Sequence, residues 1–382
     1  MTLLALLSCA LCTNGWSDTT SGEIGVEWDT NIHRTETVNG LRGGLPIRQM
    51  ALMRLGLRTH GERLAKGLGF QWDGYAGGKF FFGEEGQREN VGIVSVSGQV
   101  SKKLQDDKPL IGLSLSHYDA FGFDPFSVGL EFSGRNFRST RLGAFASLNL
   151  GTRSSFTLRA DGSRFEFKSN SDFDWWGGAV GADLRSRIWT GHVDPNEEQT
   201  TSSIDTALSY NVSRRSFGSD AFINSCSDGD DSQNCLLLSE QSRRDLAHQL
   251  TASLSYTGRR LAHVRYVLAV NDSNSRGFGQ TRHRIELGGT TPLTESVFLT
   301  LKGTVRLNFF HSTLRLAPSV NSQGFVSVDE ENRNSLTALV SQYIGERLAL
   351  EVRYSLFSNE IASDEQRFRR QTFYAGLNWQ LD

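Results

Sequence analysis

From Val297 to Phe309 the residue types take turns. Val297, Leu299, Leu301, Gly303, Val305, Leu307 and Phe309 alternate with Phe298, Thr300, Lys302, Thr304, Arg306 and Asn308. Successive side chains of an extended strand point to opposite faces, so this spacing gives one strand an apolar face and a polar face. The period recurs along the chain. Leu348, Leu350, Val352, Tyr354 and Leu356 alternate with Ala349, Glu351, Arg353 and Ser355. Ala262, Val264, Tyr266, Leu268 and Val270 face away from His263, Arg265 and Asn271, and Leu142, Ala144, Ala146 and Leu148 oppose Arg141, Ser147 and Asn149. Apolar residues at helical spacing do not compete in these windows.

Segment length narrows the reading. The alternating segments run for roughly 9 to 14 residues, longer than the usual strand of a soluble sheet and long enough for a tilted strand to cross a bilayer. Towards the C-terminus, short connections (near Gly258, Pro292 and Gly345) alternate with long polar ones (Ser213 to Arg244, His311 to Arg333, Asn359 to Gln366). Short turns at one end and longer loops at the other belong to a transmembrane barrel. The competing reading is a soluble sandwich or propeller, whose buried face is also apolar. Long charged groups on the polar face (Lys302, Arg306, Glu351, Arg353) argue against it. The expected fold is therefore all-β, a single transmembrane antiparallel β-barrel. About 17 candidate strands can be counted, and an even number is required, giving about 16 with a range of about 14–18. Parity breaks between Lys102 and Leu150, with Phe126 to Ser133 as the segment in excess.

The 382 residues contain only six prolines, and no Pro/Gly/Ser-rich linker divides them, so one domain is the simpler organisation. Net charge is −2, which gives no field pointing to nucleic acid. Leu3 to Cys12 has the length of a signal-peptide apolar run. Residues 1–17 are read as the signal and 18–382 as the barrel. A lipoprotein-like site at Leu6-Leu7-Ser8-Cys9 is the weaker alternative. No run of ~18 apolar residues follows, so no helical span is expected. Cys226 and Cys235, which would be the only cysteines left after processing, enclose a small polar loop and are read as a disulfide. Zinc would need further ligands, and calcium at Asp228, Asp230 and Asp231 lacks the usual loop spacing. No cofactor and no metal site is expected.

The chain ends on Y-A-G-L-N-W-Q-L, Tyr374 to Leu381. Tyr374, Gly376, Trp379 and Leu381 hold the spacing of a C-terminal assembly signal, and the segment resembles that of bacterial outer-membrane β-barrels of the porin-like class. The resemblance implies recognition by the barrel-assembly machinery, contact with outer-membrane lipid and residence in the outer membrane. The last strand should then pair with the first, near Ile24, Val26 and Trp28, so that no edge stays open. Trp28, Trp72, Trp175, Trp176, Trp189 and Trp379 are candidates for interfacial girdles. The strand exits at Gly25 to Arg34 and Leu268 to Gly277 are similar to those of barrels attached to exopolysaccharide and surface-lipoprotein export systems.

A barrel of this size can hold an aqueous channel. Its polar face is rich in cations: Arg141, Arg159, Arg185, Arg187, Arg265, Arg282, Arg284, Lys302, Arg306 and Arg353, with Arg54 and Arg58. Fewer acids share it, among them Glu27, Asp29, Asp161, Asp183, Glu286 and Glu351. A basic lining selects anions, whereas Arg–acid pairs across strands would only brace the wall. Tyr75, Tyr118, Phe145 and Trp189 also read as inward, either filling the lumen or offering ring faces to sugars. The expected function is a pore for a hydrophilic, anionic solute or polymer. Surface polysaccharide export with periplasmic export partners is favoured, with loops such as Ser213 to Arg244 as gates. A general diffusion porin is the alternative. A rim enzyme built on one of eight scattered histidines and a barrel with a plugged lumen are the others. No G-x-S-x-G, H-E-x-x-H or P-loop pattern supports an enzyme.

Overall fold

The computed structural model describes residues 17–32, 41–42, 45–46, 48–65, 67–104, 109–122, 137–168, 171–192, 201–224, 236–311, 334–358 and 369–381. Sixteen strands form one closed antiparallel barrel. They are β1 (Ser17–Asp29), β4 (Met50–Ala65), β5 (Leu68–Phe81), β6 (Val91–Lys103), β7 (Leu110–Gly122), β8 (Phe137–Asn149), β9 (Ser154–Phe167) and β10 (Trp175–His192). The others are β11 (Thr201–Asn224), β12 (Leu236–Thr257), β13 (Leu261–Ser273), β14 (Gln280–Pro292), β15 (Val297–Phe310), β16 (Asn334–Ile344), β17 (Leu348–Ser358) and β18 (Arg369–Leu381). A two-residue pair, β2 (Leu41–Arg42) and β3 (Leu45–Pro46), stands outside the barrel. No helix among the described residues is long and apolar enough to cross a membrane.

Closure follows from the alternation. β18 pairs with β1 in unbroken register, Trp28 opposite Phe373, Val26 opposite Ala375 and Ile24 opposite Leu377. From Thr20 to Asp29 β1 is thus laddered on both sides, by β18 and β4, as a bilayer interior demands. The apolar side chains of this register point outward, as do Val180, Leu142, Leu158, Leu208, Leu250, Leu301 and Val352, all exposed. Lipid is the solvent that makes such a surface favourable.

Short turns gather at the end that holds the beginning of β1 and the end of β18. Gly151 and Gly345 sit in two of them at φ +81° and +74°, conformations that a Cβ disfavours. Longer connections gather at the other end, which in a bacterial barrel faces outside the cell. The outward tryptophans mark both interfaces. Trp28 and Trp176 lie at the long-connection end, Trp72, Trp189 and Trp379 at the short-turn end. Trp72 and Trp379 each lie across a glycine, Gly61 and Gly22, where any Cβ would strike the indole ring.

Four expectations need correction or qualification. β7 and β8 pair directly, Ala120 opposite Phe137. No strand is inserted between them, and this removes the seventeenth candidate; residues 126–133 themselves lie outside the described residues. Ser213 to Arg244 is not one loop: β11 continues to Asn224 and β12 resumes at Leu236. Polar residues on both faces are compatible with a strand once the hairpin rises above lipid. The disulfide expectation is withdrawn. No disulfide occurs among the described residues, Cys226 and Cys235 lie outside them, and the flanking ladder (Asn224 opposite Leu236) already closes the hairpin through its backbone. Trp189 faces outward opposite Ile204, because a bulge between Arg187 and Trp189 shifts the register by one residue. Of residues 1–17, read as the signal, 1–16 lie outside the described residues and Ser17 begins β1.

Candidate functional site: the lumen wall

The lumen wall is built by the polar parity of the sixteen strands. All ten cations predicted for it, Arg141, Arg159, Arg185, Arg187, Arg265, Arg282, Arg284, Lys302, Arg306 and Arg353, occupy inward positions of the ladder. Each alternates with outward apolar neighbours, as Arg141 does with Leu142 and Arg353 with Val352. Several brace the wall. Arg141 reaches Asp161 at 3.2 Å, Arg159 reaches Asp183 at 3.3 Å, Arg187 reaches Asp205 at 3.0 Å and Arg265 reaches Glu286 at 3.5 Å. Arg284 also contacts Glu286, and Arg282 donates from Nε to Asn308 Oδ1. Bracing and an overall cation surplus therefore coexist.

One arc is closed and buried. On β17, β18, β1, β4 and β5, Glu27 accepts from Lys79 Nζ at 2.8 Å and lies 3.6 Å from Arg54 and 4.0 Å from Arg353. Arg54 donates from Nε to Glu23 at 3.0 Å, and Arg370 grips Asp29 through two of its nitrogens at 2.5–2.9 Å. Glu27 and Arg54 are each 2% exposed and Asp29 is fully buried. Tyr374 of the assembly signal belongs to this arc. Its ring lies under Arg353 (4.5 Å) and Arg54 (5.7 Å) and over Gly25 and Gly376. A Cβ on Gly376 would sit 2.5 Å from the Ile24 carbonyl oxygen. Gly376 is thus needed for the close approach of this ring and backbone, while Trp379 and Leu381 of the same signal face lipid.

A second arc is open. On β10 to β13 a recess of about 330 Å³ is lined by Arg185, Ala207, Ser209, Thr251, Ser253, Ser255, His263 and Arg265. Small residues form its floor because Arg185, Ala207, Ser253 and Arg265 are register partners in one row. Next to that row His263 leans over Gly288, and Lys302 stands on the far side of the same glycine. Among the described residues Arg185 and Lys302 meet no carboxylate. Around this arc Arg159, Arg185, Arg187, Arg265, Arg284 and Lys302 outnumber Asp183, Asp205 and Glu286. The arc lies in the half of the lumen nearer the short turns, within a few residues of the 258–260 bend.

A third stretch, at the long-connection end, is aromatic. Tyr118, Phe137, Phe165 and Trp175 stack in sequence at 5.3, 5.4 and 5.8 Å. Arg215 lies over Trp175 at 4.9 Å, and Arg243 sits between Phe217 and Phe278 at 3.9 and 3.5 Å while gripping Asp245 at 2.6 Å. Tyr118, Phe137 and Phe165 are inward yet buried, so they fill space rather than offer ring faces to a solute. Tyr75 packs under Arg58 at 5.8 Å, and Phe145 covers Gly112. Arg215 and Arg243 escape the sequence reading, which takes 213–244 as a loop, whereas the strands run through them.

The histidines are dispersed. His60 bonds Asp73 through Nδ1 at 2.8 Å, and its Nε2 lies 3.8 Å from Glu62, so both ring nitrogens face carboxylates rather than a hydroxyl nucleophile. His248 and His283 face lipid, where each pairs through Nδ1 with a tyrosine hydroxyl, Tyr210 at 2.8 Å and Tyr266 at 2.7 Å.

No protein-family model and no curated relative matches the chain. Solved structures do. It is similar to a BenF-like porin from Pseudomonas fluorescens Pf-5 over 96% of this chain and 99% of that one, at 9% identity and TM-score 0.50. It is also similar to OmpF of Salmonella typhi (95% and 97% covered, 10% identity, TM-score 0.47) and to a bacterial polysaccharide outer membrane secretin (94% and 98%, 9%, TM-score 0.38). The first likeness is one of fold, and the other two superpose too loosely to add to it.

Proposed function

We propose that this porin-like barrel of the bacterial outer membrane is a diffusion channel for small hydrophilic anions. The observation that carries the reading is the open arc: a hydroxyl-floored recess flanked by Arg185, Arg265 and Lys302 with more cations than acids around it. Cations that line water and lack a carboxylate hold a positive potential along the path, which raises the local concentration of anions. Serine and threonine hydroxyls donate hydrogen bonds to an oxyanion without adding bulk. Passage is passive, and no bond is made or broken.

The test is single-channel conductance of the refolded chain in a planar bilayer under a salt gradient. A reversal potential on the anion side supports the reading. A cation preference, or no conductance from inserted protein, overturns it. Surface polysaccharide export, which the strand exits favoured, is a narrower form of the same proposal. Those exits are explained locally, since Asp29 Oδ1 accepts from the Asn31 amide at 2.9 Å and Ser273 Oγ from the Ser275 amide at 3.1 Å. The general channel is therefore preferred. Block of the conductance by an anionic polysaccharide added on the short-turn side, but not by its neutral counterpart, would restore the export reading.

A further inference from the structure

The outer surface carries cations where a lipid-facing wall should be apolar. Arg164 of β9, Trp176 of β10, Ser216 of β11 and Arg244 of β12 are successive register partners and form one row around the outside of the barrel. They share the parity of the exposed Leu158, Val180, Leu208 and Leu246. Arg214 lies one outward position below Ser216. Arg138 and Lys168 lie on the same face, at the long-connection ends of β8 and β9. Arg164 is 72% exposed in its side chain and Trp176 is 69% exposed.

Local acids neutralise only part of this charge. Asp119 meets Lys168 at 2.5 Å and Arg138 at 3.6 Å, and Glu166 meets Arg164 at 2.7 Å and Arg138 at 3.7 Å. Asp272, opposite Leu246, and the exposed Asp220, opposite Ser242, are the other outward acids beside the row among the described residues. Five cations thus face four acids, and Arg214 and Arg244 meet no carboxylate among the described residues. The patch is one-sided. At the same end of the opposite wall the outward residues are Trp28, Tyr354 and Phe373.

We infer that this patch binds the phosphates of a glycolipid of the outer leaflet, lipopolysaccharide, with its acyl chains on the leucine wall below. A soluble phosphate would use only the cations. A lipid uses both surfaces at once, because below the guanidinium row and Arg214 the wall is mainly apolar (Leu158, Val180, Leu208 and Leu250), with His248 held by Tyr210 as its polar interruption. Guanidinium groups match phosphate oxygens with paired hydrogen bonds. Trp176 sits in the row as an indole does at headgroup level. Three strand steps separate Arg164 from Arg244, about 14 Å, which is wide enough for more than one phosphate.

The test uses the full chain refolded into vesicles of phosphatidylethanolamine with or without lipopolysaccharide, then extracted in mild detergent and assayed for lipopolysaccharide per barrel. The wild type should retain it. Arg164→Gln/Arg214→Gln/Arg244→Gln, inserted equally well into phosphatidylethanolamine alone, should retain about tenfold less after losing its charge-assisted contacts. Arg259→Gln/Arg260→Gln, at the short-turn end, should retain as much as wild type. Equal retention by the triple variant would overturn the assignment. So would release by millimolar inorganic phosphate, which would make the patch a soluble-anion site. If the triple variant fails to insert, the wild type alone decides: a molar-salt wash should strip the lipid, and retention unmoved by salt refutes the inference.

Discussion

Two arcs of the lumen wall use the same residue types in different settings. On β17, β18, β1, β4 and β5, the cations Arg54, Lys79, Arg353 and Arg370 stand among Glu23, Glu27, Asp29 and Glu351, and most are buried. On β10 to β15, Arg185 and Lys302 meet no carboxylate among the described residues, and Arg265 and Arg284 share Glu286. The first arc is balanced, dry and structural. The second has a surplus facing water. Charge in a lumen is therefore not evidence of selectivity by itself; what matters is whether the partner acids are within reach and whether solvent screens the remainder.

The difference can be broken most severely at the closed arc. Glu27→Gln removes the acceptor of Lys79 and the neighbour of Arg54 and Arg353. Uncompensated buried cations cost about 3–5 kcal/mol, so the folded yield in urea-titrated vesicles should collapse. Near-wild-type folding would mean that this arc is wetter than its burial indicates. Next comes the seam. Gly376→Ala drives a Cβ against the Ile24 carbonyl and the Tyr374 ring, and overpacking of this kind costs about 1–3 kcal/mol. Slower assembly and a lower unfolding midpoint are expected, and Tyr374→Phe, which keeps the ring and the clash-free glycine, should fold far better.

The open arc should respond in transport rather than in stability. Arg185→Gln/Lys302→Gln should fold normally, since exposed groups away from buried networks change stability by only about 0.5 kcal/mol. Its anion-to-cation permeability ratio should fall by several-fold towards one, on the order of the loss of two field-setting charges. An unchanged ratio would move selectivity elsewhere in the wall. The smallest effect belongs to a braced cation. Arg141→Gln breaks a pair in which the arginine is half exposed, and such pairs are worth about 0–1 kcal/mol. Both stability and ion preference should stay near wild type, and a large change in preference would merge the two arcs into one.

Period two, read from residues such as Leu301 and Lys302 or Val352 and Arg353, was enough to assign the barrel, its lipid face and the inward direction of every predicted arginine. This works because the alternation of side chains is a property of the extended backbone and needs no knowledge of neighbours. The same signal failed where the backbone departs from regularity, at the bulge that turns Trp189 outward. It also failed where strand continues above the lipid, as in β11 and β12, since no apolar face is required there. Partnership was decided only by the tertiary structure. Glu27 meets Lys79 across 52 residues and Asp29 meets Arg370 across 341. Such contacts depend on which strands neighbour one another and in what register, and ring closure sets both. Sequence alone therefore determined which side of the wall each charge occupies, and the closed barrel decided whether that charge is spent on a neighbour or left facing the water.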